Sequence, residues 1–70
     1  MYHVRYKTDN GEKTTTCGDR KDAYNFIARL HDMFQGCYLE IEAIFEGKKL
    51  TDTEKTELVS TALEGKYNES

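Results

Sequence analysis

Apolar and polar positions alternate at the start of the chain: Tyr2, Val4 and Tyr6 fall on one side, His3, Arg5 and Lys7 on the other. A period of two is that of a half-buried strand. The run meets Asp9-Asn10-Gly11, and Asn-Gly is a strong hairpin signal because both central residues of a type I′ turn need positive φ. A second β-prone run, Lys13 to Cys17, follows. A two-residue Asn10-Gly11 turn predicts pairing of Asp9 with Glu12, Tyr6 with Thr15 and Val4 with Cys17. Thr15 and Cys17 then share the inner face with Val4 and Tyr6, and Arg5, Lys7, Thr14 and Thr16 lie outside. Like charges at Asp9 and Glu12 weigh against this tight register, which a longer turn would shift.

The period then changes. Gly18 breaks the strand, and Asp19 is placed to cap a helix whose positive end is complemented by Asp22. Ala23, Phe26, Ile27, Leu30, Met33 and Phe34 form one apolar stripe, which predicts an amphipathic helix over residues 20–34. Arg20, Lys21, Asn25, Arg29 and Asp32 take the wet side, and Gly36 suits a left-handed terminating position.

Residues 38–46 fit two periods. Leu39, Ile41, Ala43 and Phe45 alternate with Tyr38, Glu40, Glu42 and Glu46, as in a strand; Tyr38, Ile41, Ile44 and Phe45 also fit a helical stripe. The strand is preferred, because a lone hairpin is marginal in water and a third strand completes its sheet. Ile44 then points to the polar face, an exception that needs a cover or a partner. Thr51 with Glu54 forms a capping box after Leu50, opening a second helix. Its apolar residues, Leu58, Val59, Ala62 and Leu63, lie in its second half, and Gly65 marks its end. Tyr24 and Tyr67 read as boundary residues closing the core, and residues 67–70 as a frayed tail on a single domain over residues 1–66.

The order of hairpin, helix and then Ile44-Phe45-Glu46-Gly47-Lys48-Lys49-Leu50-Thr51-Asp52 is similar to the ubiquitin family, where an Ile-Phe-x-Gly-Lys-x-Leu stretch forms a strand and tight turn after the main helix. The resemblance covers this stretch and the element order. It lacks that family's final strand and diglycine tail, since the chain ends in Tyr67-Asn68-Glu69-Ser70, and it reads as shared turn chemistry.

Seventy residues allow one small core, and a chain this short buries only about 60% of its unfolded surface. The net charge of −3 is unevenly spread, slightly basic before residue 36 and acidic after it. Double-stranded nucleic-acid binders carry a basic balance, so that class is excluded as an expectation. No run approaches a membrane span. Met1 reads as a natural start, no leader is evident, and the chain is expected in the cytoplasm. Cys17 and Cys37 read as reduced thiols at opposite rims of the sheet.

Candidate chemistry is sparse. His3 and His31 lie on different elements, away from cysteines or paired carboxylates, so neither a metal nor a cofactor is expected. Glu40 and Glu42 sit two apart on one strand face, but acid–base work needs burial to separate their pKa values. No G-x-G-x-x-G, phosphate-loop or nucleophile-elbow motif occurs, and Gly47-Lys48 lacks the preceding glycine. The chain is not expected to be an enzyme.

The reading is an α+β two-layer sandwich, β-β-α-β-α, with a three-stranded, mainly antiparallel sheet and the first helix on one face. If the first strand is central (order 2-1-3), Arg5 and Lys7 lie beside Glu40, Glu42 and Glu46 on the outer face. That arrangement is either a salt-bridged surface or an interface, with Tyr38 and Ile44 as its apolar centre and Arg5, Lys7, Glu40 and Glu42 as its rim. The functional expectation is a non-enzymatic protein-binding module, of the size and style of a phage or mobile-element regulator or inhibitor. Its alternatives are single-stranded nucleic-acid binding through the sheet and a structural homodimer.

Overall fold

The structure, a computed structural model, describes residues 1–65. The readings placed on Tyr67 and on the 67–70 tail lie outside the described residues. Strand β1 (Tyr2–Thr8) turns into β2 (Gly11–Cys17), helix α1 (Arg20–Met33) follows, and β3 (Leu39–Glu46) leads through a two-residue β4 (Lys48–Lys49) to helix α2 (Asp52–Glu64). The sheet order is β2-β1-β3-β4, antiparallel throughout. The α+β fold is as the sequence predicts, and the long strands take the order 2-1-3. β4 is an addition, made where Gly47 at φ 73° turns the chain. That turn is the part of the ubiquitin-like stretch that forms, after which the chain enters α2.

The hairpin is shifted from its expected register by two residues. Val4 pairs with Thr15, Tyr6 with Lys13, and Thr8 with Gly11, so Asp9 and Asn10 form the turn. A type I′ turn is ruled out, because among the described residues only glycines have positive φ and Gly11, at φ 111°, lies just after the turn. The Thr8 hydroxyl accepts from the Asn10 amide at 3.1 Å and steadies this turn. A slip of two preserves strand parity. Thr15 and Cys17 therefore stay on the face of Val4 and Tyr6.

Both helices start as their sequences dictate. The Asp19 side chain accepts from the Asp22 amide at 2.8 Å. At α2 the Thr51 hydroxyl accepts from the Glu54 amide at 3.1 Å, while the Glu54 carboxylate accepts from the Thr51 amide at 2.9 Å. These bonds hold the Glu54 carboxyl below the usual carboxylate range. α2 ends at Gly65, which is left-handed at φ 75°. α1 ends at Met33 with Phe34 as its cap, and Gly36 carries its positive φ two residues later.

The core lies between one sheet face and both helices. Tyr2, Val4, Cys17 and Ile44 from the strands meet Ala23 and Ile27 of α1 and Leu58 and Ala62 of α2, with Leu50 at the rim. Tyr6 meets Phe26 edge-on, ring centroids 5.6 Å apart. The α1 stripe is shorter than its periodicity implies: Met33 is exposed and Phe34 half-buried. Leu63 of α2 is likewise exposed.

β3 departs from strict alternation, and this is the main correction. Tyr6 lies opposite Ile41 but Arg5 opposite Ala43, so Glu42 is an extra residue, a β-bulge. Beyond it the phase of the strand reverses. Ile44 pairs with Val4 and is fully buried, rather than lying on the polar face. Phe45 pairs with His3 and turns to the outer face, rather than into the core. The bulge disturbs the ladder, and Lys55 of α2 repairs it: its ammonium donates to the carbonyls of Ile41 at 3.2 Å and Glu42 at 3.3 Å.

Candidate functional site: the open face of the sheet

Because both helices share one core cluster, no described element covers the other side of the sheet. Its side chains follow from the register in three rows. Thr16, His3, Phe45 and Lys49 form the first; Thr14, Arg5 and the Glu42-Ala43 bulge the second; Glu12, Lys7 and Glu40 the third. The face is therefore polarised. His3, Arg5 and Lys49 gather toward one end, and Glu12, Glu40 and Glu42 toward the other, around Lys7.

The rows are locally bonded. His3 Nδ1 and Thr16 Oγ1 are 2.9 Å apart. The Arg5 guanidinium lies over the Phe45 ring, 5.7 Å from its centroid. Arg5 Nε faces Glu42 Oε1 at 3.8 Å, an ion pair without a hydrogen bond. The Tyr38 hydroxyl donates to Glu40 at 2.6 Å, and that bond to a carboxylate raises the Tyr38 pKa above its ordinary value.

Glu42 shows what the acidic end does. Its pKa is raised above the usual carboxylate range, first by a hydrogen bond with Glu12, then by partial desolvation and by the Glu12 charge. Arg5 and Lys7 pull the other way and are outweighed. The Glu12 interaction decides the direction, because the Arg5 contact is long and without a hydrogen bond. The carboxyl group that acts on Glu42 is thus Glu12, across β1, rather than Glu40 along β3.

Of the residues singled out in the sequence, Arg5, Lys7, Tyr38, Glu40 and Glu42 come together here. Ile44 does not; it belongs to the core. Phe45 replaces it as the apolar residue of the face, and sequence alternation misses it. The available signal is the break at Ala43-Ile44-Phe45, where consecutive apolar residues cannot all satisfy a period of two.

Other chemistry is dispersed. Among the described residues no three His, Cys, Asp or Glu side chains are grouped to hold a metal. His31 is half-buried on α1, with Nε2 lacking a hydrogen-bond partner, beside an open groove bordered by Leu39, Ile41, Lys55 and Val59. Cys17 is buried and Cys37 exposed, and neither is disulfide-bonded. Cys17 pairs with Tyr2, whereas Cys37 precedes the Leu39 that pairs with Thr8, so the thiols lie toward opposite ends of β1. Burial, then Asp22, raises the Cys17 thiol pKa. No described helix is long and apolar enough to cross a membrane. No known protein family, curated protein or solved structure matches this chain.

Proposed function

We propose that this chain is a non-enzymatic protein-binding module that works through the open face of its sheet. The observation that carries the reading is the position of Phe45. A bulge and a lysine of α2 hold the β3 phase that turns this aromatic outward, under Arg5 and among charged residues. An aromatic and an arginine inside a polar rim is the composition of binding hot spots. The polarised charge gives the face a direction, and complementary charge fixes the register of a partner. Such a module would act by occupying another protein, as a regulator or inhibitor does.

The test is affinity capture with the parent and with Phe45→Asp, followed by titration of any captured protein. The reading requires a saturable partner that Phe45→Asp loses while the fold is retained. A partner held equally by both proteins, or no saturable partner, would remove the open face as the working surface.

Single-stranded nucleic-acid binding is the second reading, favoured by Phe45 flanked by His3 and Lys49 in one row with Arg5 above the ring. Stacking on an aromatic between cations is how such strands are held. Glu12, Glu40 and Glu42 on the same face oppose it. Phosphate binding weakens steeply with added salt, so a salt titration with an oligonucleotide separates the two.

A further inference from the structure

The sheet has two edges, and they are built differently. One is closed by β4, two residues long and composed of Lys48–Lys49. A short, cationic edge is a poor template for another strand. The other edge is β2, seven residues from Gly11 to Cys17, paired among the described residues with β1 alone and in unbroken register. It contains no proline, and its centre is Thr14-Thr15-Thr16, residues that favour strands. Glu12, Lys13, Thr14 and Thr16 are exposed.

Hydrogen-bond alternation says which backbone groups of this edge are unpaired. Thr8 and Gly11 close the two-residue turn as a hydrogen-bonded pair. Alternation along an antiparallel ladder then directs Lys13, Thr15 and Cys17 toward β1, and the N–H and C=O groups of Glu12, Thr14 and Thr16 outward.

We propose that β2 pairs antiparallel with β2 of a second copy of this chain, across a two-fold axis at Thr14, joining two four-stranded sheets into one of eight. The register is self-complementary. Thr14 meets Thr14 of the second copy, while Glu12 meets Thr16 and Lys13 meets Thr15. No like charges are opposed, and the three outward-facing residues bond to one another. An axis at Glu12 would oppose two glutamates directly, which is destabilising.

The open face supplies a second argument. In this arrangement the row that runs Phe45, His3, Thr16 in one copy continues into Glu12, Lys7, Glu40 of the other. The basic end of each face thus lies alongside the acidic end of its neighbour. The edge used here is distinct from the open face, so either assignment stands if the other falls.

The test is sedimentation velocity over a wide concentration range, with Thr14→Pro and Thr14→Lys beside the parent. The parent should pass from 8.1 kDa to twice that mass as concentration rises. Thr14→Pro removes an outward N–H, a change tolerated on edge strands. Thr14→Lys opposes two charges at the axis. Both should remain monomeric with a parent-like circular dichroism spectrum, while Phe45→Asp should still dimerise. Hydrogen exchange on the unaltered protein decides the matter if a variant fails to fold: the Glu12, Thr14 and Thr16 amides should gain protection as concentration rises. A parent that stays monomeric would overturn the proposal. So would a dimer that survives both Thr14 variants, or one in which these three amides exchange as fast as in the monomer. Protection that appears only when an extended peptide of another protein is added would assign the edge to a foreign strand instead.

Discussion

Ile44 and Phe45 are neighbours on β3 that meet opposite surroundings. Ile44 is fully buried against both helices, opposite Val4, while Phe45 lies on the open face beneath the Arg5 guanidinium. The difference arises two residues earlier, where Glu42 bulges out of the ladder. A strand keeps its phase only as long as its pairing is one-to-one. A single extra residue exchanges the roles of everything beyond it, so the composition of both faces is set at Glu42.

The strongest way to break this contrast is to treat both residues alike. Ile44→Ala should cost about 2–5 kcal/mol, as removal of a buried isoleucine does. In a domain with a thin stability margin that approaches complete unfolding. Ile44→Asp should not fold at all, because it buries an unpaired charge. Thermal melting followed by circular dichroism reads both. A parent-like melting temperature for either would place Ile44 outside the core.

Lys55→Met tests what holds the phase. It keeps the apolar stem and removes the ammonium that satisfies the Ile41 and Glu42 carbonyls. A partly buried acceptor left without a donor costs about 1–3 kcal/mol. Urea denaturation should show that loss. An unchanged midpoint would mean that solvent satisfies the bulge equally well.

Phe45→Asp is the counterpart to the Ile44 variants. It forfeits the Arg5 contact and some half-buried area, so a loss of about 1 kcal/mol or less is expected. A loss as large as that of Ile44→Ala would mean that Phe45 is a core residue.

What was legible in the sequence follows the same division. Regions governed by local chemistry read correctly: the Asp19 cap, the Thr51–Glu54 capping box and the Gly65 terminus. Residues whose placement depends on pairing with a distant strand did not. The hairpin register moved because the two-residue turn falls at Asp9-Asn10, with Gly11 behind it, rather than at Asn10-Gly11, yet the faces survived since the slip was even. The β3 bulge is an odd slip, and it moved Ile44 and Phe45 to opposite faces from those their alternation indicates. Its support comes from Lys55, thirteen residues beyond Glu42, which no local pattern reveals. Met33 misled for another reason: a helix continues its period past the edge of the sheet it packs on.

The smallest expected effect concerns the acidic end of the open face. In the folded protein Glu42 holds its proton to higher pH than in the unfolded chain, because Glu12 is beside it. Its stabilising contribution is therefore present in acid and is lost as pH rises through the Glu42 titration, above the ordinary carboxylate range. Near neutrality the two carboxylates repel. Glu12→Gln removes that repulsion, so the variant should gain on the parent as pH is raised from acid to neutral, and the two should converge in acid. Paired denaturation curves across that range check the sign. A constant difference at every pH would separate Glu12 from the Glu42 titration.

The most direct measurement is thiol labelling at the two neighbouring positions. With Cys17→Ser and Cys37→Ser as the background, Ile44→Cys and Phe45→Cys are made singly and treated with a thiol reagent under native conditions. The thiol at position 45 should react at a rate close to that of an unfolded chain. The thiol at position 44 should react only through unfolding, slower by several orders of magnitude. The reverse order, with position 44 labelled rapidly and position 45 protected, is what uninterrupted alternation demands, and it would contradict the bulge and the open face built on it.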